Sequence, residues 1–185
     1  MRSELSVIEF RHYVGEFEKI VRTRVDQVYQ PSAKDLLITF YKSGLGKLHL
    51  RINPPGFIYF TDEKTEKPSK IPGFCALLRK HLNNAHLDSV NQLGFERILE
   101  FKFKTKAGIF KLIAECFSAG NLIFTDADNT IISAVETRHW STRDIKRGEK
   151  YRLPESKYDI SKISEKELST ALASTSKDSL VKFLA

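Results

Sequence analysis

Residues with specialised chemistry are scarce in this 185-residue sequence, which has two cysteines, one tryptophan and one methionine. Cys75 and Cys116 lie on separate apolar stretches, which favours buried, reduced thiols over a disulfide framework. No apolar run approaches the roughly 20 residues that a membrane-spanning helix needs, and the first residues lack the pattern of a secretory signal peptide. We therefore expect a soluble, cytoplasmic protein that does not bind a membrane.

Motifs that would indicate an enzyme or a metalloprotein are also missing. The five histidines are scattered and show no metal-ligand spacing with either cysteine, and no glycine-rich loop is present that could cradle a phosphate. Residues 126–129 begin like a calcium loop but lack its glycine and its distal glutamate, so a β-turn is the better interpretation. No serine, histidine and aspartate can be assigned to a catalytic set. We therefore expect no metal, no cofactor and no catalytic residue.

Aromatic and basic residues, in contrast, are plentiful. The 13 phenylalanines and the hydrophobic fraction of 41% predict a folded globular domain, and the chain is long enough to bury a sizeable core. The formal net charge of +7 and the isoelectric point near 9.4 favour an acidic partner such as nucleic acid.

The chain is organised around residues 94–132, which predict four short strands joined by tight turns. Between residues 99 and 104, large apolar residues alternate with charged ones, the period of two that is typical of a half-buried strand. In the next strand the same alternation places Lys111 and Glu115 on the face opposite the apolar one. The intervening turns are rich in residues that tolerate positive φ or cap a turn. We therefore predict an antiparallel meander with one apolar face, which begins just after the charged pair Glu96 and Arg97.

Helices and further strands surround this meander. Ser6 and Glu9 have the spacing of a capping box, so a helix is expected to begin there and to bury a stripe that ends at Val21. Strand patterns follow up to residue 61, a second helix spans residues 73–82, and a last strand spans residues 134–140. This order predicts an α+β fold with two antiparallel sheets and helices on their edges.

Two basic clusters are candidate phosphate contacts. Arg79 and Lys80 end the second predicted helix, where the sequence alone favours complementing the helix dipole over a phosphate contact. Residues 138–150 carry a denser cluster that includes Arg143, Lys146 and Arg147. This segment is either a phosphate-tracking patch or a solvated loop. The residue pattern leaves both alternatives open.

The last part of the chain, residues 156–185, predicts a helical tail. Ser164 and Glu167 repeat the capping-box spacing before a short helix that ends near Ala173. A further helix is predicted over residues 177–185, with its apolar face barely begun. We therefore divide the chain into a domain at residues 1–155 and a tail at residues 156–185.

Five sequence blocks follow one another in order: SVIE (6–9), VDQVYQP (25–31), GFCALLRKHL (73–82), GFERIL (94–99) and ECFSAGNLI (115–123). Within them, LLRKHL (77–82) and AGNLI (119–123) are specific in combination, whereas either alone would be weak. Together the five blocks resemble the N-terminal domain of the NFACT family, the RqcH- and NEMF-type proteins of ribosome-associated quality control, once called fibronectin-binding proteins. The resemblance covers roughly residues 5–155. It implies an antiparallel β-sandwich flanked by helices, similar to the N-terminal domain of formamidopyrimidine DNA glycosylases. It also implies that this chain is an excised N-terminal domain, and that its tail leads into helix-hairpin-helix, coiled-coil and RNA-binding domains.

The resemblance further implies a function. Members of the family bind large ribosomal subunits that are obstructed by peptidyl-tRNA. They recruit tRNA, typically alanyl-tRNA, and extend the stalled chain without a template. The implied partners are therefore the large ribosomal subunit, peptidyl-tRNA and aminoacyl-tRNA, and the remainder of the protein's own chain.

Three residues match family positions that are linked to tRNA recruitment and tail synthesis: Glu9, Glu96 and Arg97. The two acidic positions are commonly aspartates in the family, so both carboxylates here are one methylene longer. Arg97 could fork onto a phosphate or a base edge, and the two glutamates could orient it or accept from a base amino group. The alternative is a structural ion-pair cluster that locks the first helix onto the meander.

Other classes of function fit less well. A glycosylase would need an N-terminal proline amine and an adjacent glutamate, which Met1, Arg2 and Ser3 do not supply, so we predict that the domain is not an enzyme. An adhesin would agree with the family's former name but is disfavoured by the lack of a signal peptide and of disulfides. The remaining alternative is a glycosylase-like DNA- or RNA-binding domain, or a general nucleic-acid-binding module, without tailing activity.

Overall fold

Strands dominate the computed structural model, which describes residues 6–62, 70–155 and 163–173. In chain order the elements are α1 (Val7–Val14), a 3₁₀ helix (Gly15–Ile20), β1 (Arg24–Ser32), β2 (Asp35–Lys42), β3 (Gly46–Ile52), β4 (Ile58–Phe60), α2 (Gly73–Leu82), β5 (His86–Gln92), β6 (Ile98–Thr105), β7 (Gly108–Glu115), β8 (Asn121–Asp126), β9 (Ile131–Ala134), β10 (Arg138–His139), β11 (Asp144–Ile145) and α3 (Glu165–Ala173). This arrangement confirms the predicted α+β class. Within the described residues, no helix is long and apolar enough to cross a membrane.

One continuous antiparallel sheet replaces the two separate sheets predicted from the sequence. Its nine strands lie in the order β4-β3-β2-β1-β5-β6-β7-β8-β9, while β10 pairs only with β11. The halves β1–β4 and β5–β9 are joined at a seam where β1 and β5 share a single registered pair, Arg24 with His86. The prediction of two sheets was wrong because this narrow seam has no signature in the residue pattern.

The two halves of the sheet come together again at the ends farthest from the seam. A Cβ atom built on Gly120, in the β7–β8 loop, would lie 2.5 Å from the carbonyl carbon of Pro54, in the β3–β4 loop. Nearby, the Lys34 amine in the β1–β2 turn donates to the Ala119 carbonyl at 2.6 Å. The sheet therefore folds over along the seam, and its halves form two layers.

A single main core fills the space between these layers. It combines buried side chains from both halves, among them Phe40, Leu50, Phe101 and Phe124. The ring of Phe17, on the 3₁₀ helix, spans the layers, since its centroid lies 5.9 Å from that of Phe60 and 6.1 Å from that of Phe101.

The folded sheet has two different ends. The loop end comprises the β1–β2 turn (33–34) and the β3–β4 (53–57), β5–β6 (93–97) and β7–β8 (116–120) loops. The turn end, at the seam, comprises the β2–β3 (43–45), β6–β7 (106–107) and β8–β9 (127–130) connections.

The meander is buried on both faces, not on one as predicted. Its second face forms a smaller core of Ile98, Ile113, Ile123, Ile131, Ile145 and Tyr151. Because the segment after β10 covers this face, a residue that the alternation assigned to solvent is buried: Glu115 is only 1% exposed.

The helices follow local signals closely. The Ser6 hydroxyl accepts from the Glu9 amide at 3.3 Å, while the Glu9 carboxylate accepts from the Ser6 amide at 2.8 Å, so the predicted capping box is formed. The predicted buried stripe is wrong at its end, because α1 gives way to a 3₁₀ helix and Ile20 is buried in place of Val21. Helix α2 has the predicted bounds.

The short helix predicted to end near Ala173 is present as α3. The capping box of Ser164 and Glu167 is formed just before α3. The helix predicted over residues 177–185 lies outside the described residues.

Two polar strands differ from the sequence prediction. The residue pattern does not predict β5, since Leu87 is its one fully buried side chain. The strand predicted over residues 134–140 is wrong, because β9 ends at Ala134 and β10 begins only at Arg138. There the Arg138 guanidinium turns toward the loop end and donates to the Gly120 carbonyl at 3.0 Å.

Candidate nucleic-acid interface

The structure brings the first turn of α1, which carries Glu9, against the β5–β6 loop, which carries Glu96 and Arg97. The contact is made by Gln92, whose side-chain amide donates to the Val7 carbonyl at 3.4 Å and to the Glu96 carbonyl at 2.8 Å. The resemblance implies a role for these three residues together, and one end of the sheet carries all of them.

Glu9 has the local role that its spacing predicts. Its half-buried carboxylate accepts from both the amide and the hydroxyl of Ser6, each at 2.8 Å. A carboxylate in this position satisfies an amide that the helix leaves without a partner. Glu9 therefore fixes the start of α1, and a further role in tRNA recruitment stays a prediction.

Arg97 is half-buried and is anchored through its backbone, because its carbonyl accepts from the Cys116 amide at 2.7 Å. The positive charge of Arg97 also affects the pKa of the Cys116 thiol. Burial raises the pKa of Cys116 to about 12, and the nearby Arg97 cation opposes that rise. The Arg97 charge thus lies close to the thiol that follows β7.

Arg143 is located differently from the phosphate contact predicted for it. Its side chain is only 5% exposed, and its guanidinium donates to the Glu115 carboxylate at 2.6 Å and to the Arg152 carbonyl at 3.1 Å. The Tyr151 hydroxyl donates to the same Glu115 oxygen at 3.0 Å. Burial, and next the Glu115 charge, raise the pKa of Tyr151. This geometry favours a structural role for Arg143.

The buried ion pair fixes a short hairpin of residues 138–145, which we name the Trp140 hairpin. It consists of β10, β11 and the turn between them, which is closed by a bond from the Trp140 amide to the Arg143 carbonyl at 3.0 Å. The Trp140 ring packs on the Arg143 guanidinium, whose central carbon lies 4.7 Å from the ring centroid. An exposed aromatic ring is thereby held in one position.

Lys146 and Arg147 follow this hairpin and are exposed. The Lys146 amine lies 3.5 Å from the Asp144 carboxylate and 3.7 Å from the Glu149 carboxylate. Exposed pairs of this kind contribute only about 0–1 kcal/mol, so they oppose a phosphate contact only weakly. The predicted phosphate contacts of Lys146 and Arg147 stay predictions.

Arg79 and Lys80 lie on α2. The Arg79 guanidinium donates to the Val28 carbonyl at 2.7 Å, on the edge of β1 that β5 leaves uncovered, and lies 5.3 Å from the centroid of the Tyr29 ring. It lines a cleft of about 580 Å³ between β1 and α2. Arg79 therefore satisfies a strand edge, whereas Lys80 is exposed and its phosphate contact stays a prediction.

Sequence reasoning missed two residues on which the site depends, Gln92 and Glu115. Each acts through a partner that is distant in sequence, so no local signal marks them. Among the described residues, no group of three or more histidine, cysteine, aspartate or glutamate side chains could hold a metal ion.

The comparisons with known proteins identify the family. A family model described as NFACT N-terminal and middle domains matches residues 6–185. The chain belongs to the NFACT family. This match extends the resemblance beyond residue 155 and into the tail.

Two curated NFACT relatives illustrate the match. The archaeal Rqc2 homolog aRqcH of Methanocaldococcus jannaschii is 35% identical over 162 residues, which cover 85% of this chain and 24% of that protein. The human ribosome quality control complex subunit NEMF is 30% identical over 155 residues, which cover 83% of this chain and 14% of that protein. This NFACT chain therefore matches only a quarter or less of the length of these relatives.

A solved structure shares the fold. The N-terminal domain of the fibronectin-binding protein PavA from Streptococcus pneumoniae superposes with a TM-score of 0.79 at 23% identity, and the match covers 96% of this chain and 72% of that one. The likeness of this NFACT fold to formamidopyrimidine DNA glycosylases stays a prediction.

Proposed function

We propose that this chain is the N-terminal module of a ribosome quality-control factor. The complete protein would bind large ribosomal subunits obstructed by peptidyl-tRNA and recruit tRNA, by resemblance alanyl-tRNA, for template-free tailing of the stalled polypeptide. The names of the relatives support this role, since one is a ribosome quality control complex subunit and the other an Rqc2 homolog. The observation that carries the proposal is the half-exposed Arg97 on an anchored loop.

The β5–β6 loop is held in place by contacts within the protein, without bound RNA. Gln92 ties it to α1 on one side, and the Cys116 amide fixes its last residue to the end of β7 on the other. Ordering a mobile loop or a long side chain costs free energy that is subtracted from affinity. A loop anchored at both sides avoids most of that cost.

Donor and acceptor groups lie side by side on this loop. A guanidinium donates two parallel hydrogen bonds to a phosphate or to the edge of a guanine. The neighbouring carboxylate of Glu96 accepts from exocyclic amino groups of bases. The pair therefore suits the splayed bases of a tRNA loop, which present both kinds of group.

Basic side chains on a second segment add attraction that does not depend on sequence. Lys146 and Arg147 are exposed on the segment that follows the Trp140 hairpin. Each phosphate contact releases condensed counterions, and this gives RNA binding a strong dependence on salt. In this proposal Arg97 and Glu96 supply selectivity, and the other cations supply affinity.

The proposal is tested by titrating labelled tRNA into the 185-residue chain and its Arg97→Ala variant. We expect a loss of about 1–3 kcal/mol in binding, the range for a well-oriented specific contact. The matched control is Arg24→Ala, which removes the same charge from an exposed arginine at the turn end. Equal affinity of the parent chain and the Arg97→Ala variant would contradict the proposal.

A general nucleic-acid-binding module is the second candidate, favoured by the formal net charge of +7. Such a module would bind duplex DNA as tightly as tRNA. It would also lose affinity equally in the Arg97→Ala and Arg24→Ala variants, because only total charge would matter. The same titration with a DNA duplex separates the two candidates.

A further inference from the structure

We propose that Trp140 is a stacking site for one unpaired base of RNA, and that Lys150 and Arg152 contact the phosphates beside that base. The inference deepens the proposed function, on which it rests for the class of its ligand. It assigns the RNA a second point of contact, next to Arg97.

The first observation is an exposed aromatic ring on a fixed support. Trp140 is 36% exposed, although a side chain of its size contributes most to stability when buried. Its hairpin is anchored on one side by the buried pair of Arg143 with Glu115 and on the other by the bond from Arg138 to the Gly120 carbonyl. Proteins that bind single strands present bases with aromatic rings of this kind.

The second observation is the charge around the ring. Residues 138–152 carry six lysine or arginine residues but only two carboxylates, so this short segment holds more than half of the chain's formal net charge of +7. Both carboxylates lie near a cation, because the Lys146 amine is 3.5 Å from Asp144 and 3.7 Å from Glu149. The surroundings of the ring therefore attract an anion.

The third observation is a cleft of suitable size. It measures about 300 Å³ and is lined by Trp140, Arg143, Lys150 and Arg152, by the acidic residues Asp144 and Glu149, and by three further polar residues. Its volume is at the lower end of the range for ligand pockets, roughly 300–1,000 Å³, and so suits one nucleotide. The Lys150 amine is fixed at its rim by bonds to the Asp128 carbonyl at 2.8 Å and the Thr130 hydroxyl at 3.1 Å.

The cleft lies beside the β5–β6 loop, so one RNA can contact both. Leu153 follows the cleft residue Arg152, and its side chain would lie 3.8 Å from a Cβ atom on Gly94 of that loop. On the other side, Glu115 binds Arg143, and the next residue, Cys116, binds the Arg97 carbonyl. RNA held by Arg97 therefore passes close to Trp140.

The chemistry selects unpaired RNA over a duplex. In an A-form helix both faces of each base are covered by neighbours, so a protein ring has no face to stack on. A loop or a single strand exposes such faces, and stacking tolerates any base because each has a π surface. The site thus recognises an unpaired nucleotide without reading its identity.

The sequence itself supplies a site-specific reporter, because Trp140 is the only tryptophan. We expect a single-stranded oligouridylate of about ten nucleotides to quench the fluorescence of Trp140 in a saturable, salt-dependent manner. The midpoint should agree with the dissociation constant from the anisotropy of the same labelled oligonucleotide. Bound RNA with unchanged tryptophan emission would overturn the proposal, as would a lack of any binding at low salt.

Variants test the stacking step by anisotropy. Trp140→Ala should weaken oligouridylate binding by on the order of tenfold, and Trp140→Phe should recover most of that loss because it keeps an aromatic face. Tyr41→Ala is the matched control, since it removes a ring that is 43% exposed at the turn end, and it should change nothing. Equal binding by the parent chain and Trp140→Ala would overturn the proposal.

Two further titrations separate the possible failures. Polyglutamate that quenches Trp140 as strongly as the oligonucleotide would overturn the assignment to RNA and indicate an acidic protein partner. If Arg97→Ala leaves tRNA binding unchanged while oligouridylate still quenches Trp140, the proposed function fails at Arg97 and the stacking site stands. If Arg97→Ala weakens tRNA binding while oligouridylate does not quench Trp140, the stacking site is wrong and the proposed function stands.

Discussion

The two ends of the folded sheet are built differently. At the turn end the β2–β3 and β6–β7 connections are closed by their own residues: the Leu45 amide donates to the Lys42 carbonyl, and the Thr105 hydroxyl donates to the Gly108 carbonyl. The β8–β9 connection is closed by the Asp126 carboxylate, which accepts from the amides of Asp128 and Thr130, and it is also bonded by the Lys150 amine. At the loop end the bonds run between separate segments. The Lys34 amine donates to the Ala119 carbonyl in this way.

A second pair of hydrogen bonds at the loop end also joins segments that are separate in sequence. The Asn121 side chain donates to the Glu136 carbonyl at 2.9 Å and accepts from the Glu136 amide at 3.0 Å, so β8 fixes the segment that precedes β10. The positions of side chains at the loop end therefore depend on the whole fold. A cation placed in this way can select one partner geometry, whereas an exposed cation on an independent turn adds mainly charge.

The largest difference in stability between the two ends is expected when the buried ion pair of Arg143 with Glu115 is removed. We expect Arg143→Met to lower the free energy of unfolding by about 3–5 kcal/mol, because a buried carboxylate loses its counter-charge. Urea denaturation of the two proteins measures the difference. Arg24→Ala, at the turn end, should cost about 1 kcal/mol or less.

A second substitution tests the cause of that loss. Combined with Arg143→Met, Glu115→Gln removes the unpaired charge but keeps an acceptor for the Tyr151 hydroxyl, which bonds to Glu115 in the parent chain. The double variant should be more stable than Arg143→Met alone. A double variant that is less stable would show that the charge on Glu115 is not what makes the single substitution costly.

Two glycines test the contact between the halves. Gly120→Ala should destabilise the chain more than Gly44→Ala by about 1–3 kcal/mol, the usual cost of overpacking. Both glycines have positive φ, +68° and +84°, but only at Gly120 would the new Cβ meet backbone, 2.5 Å from the Pro54 carbonyl carbon. The strain of the left-handed backbone is common to both and cancels. Equal thermal melts for the two variants would contradict the close approach of the layers.

The smallest effect concerns the phosphate contacts predicted on the segment that follows the Trp140 hairpin. Lys146→Ala and Arg147→Ala should each reduce the slope of log affinity against log salt by about one unit in tRNA titrations. Lys104→Ala and Lys106→Ala, at the turn end, should leave the slope unchanged. If all four variants behave alike, Lys146 and Arg147 are interchangeable with other exposed cations and their predicted phosphate contacts fail.

Features set by neighbours in sequence are the ones that could be predicted. The capping boxes at Ser6 and Ser164, helix α2 and the strands of the meander all follow from spacing within a few residues. The position of Glu96 and Arg97 before the meander was predictable for the same reason.

Features set by distant partners could not be predicted. The alternation of apolar and charged residues predicts that Glu115 faces solvent. No neighbour in the sequence indicates that Arg143 and Tyr151 cover that face of the meander. The phosphate contact predicted for Arg143 has the same origin, because a basic cluster looks the same in the sequence whether its side chains are exposed or buried. The seam at Arg24 and His86 and the bond from Gln92 to Val7 likewise depend on the finished fold.

The central claim is that the fold fixes Arg97 through its backbone and that its half-exposed side chain binds RNA. The most direct test is a thermal melt and a tRNA titration on one sample of Arg97→Ala. We predict a melting temperature within a few degrees of the parent, since an ion pair made by a half-exposed side chain such as Arg97 contributes only about 0–1 kcal/mol. We also predict that tRNA binding is weaker by about 1–3 kcal/mol. A collapsed melting temperature with unchanged binding per folded molecule would contradict the account and make Arg97 part of a structural cluster with Glu9 and Glu96.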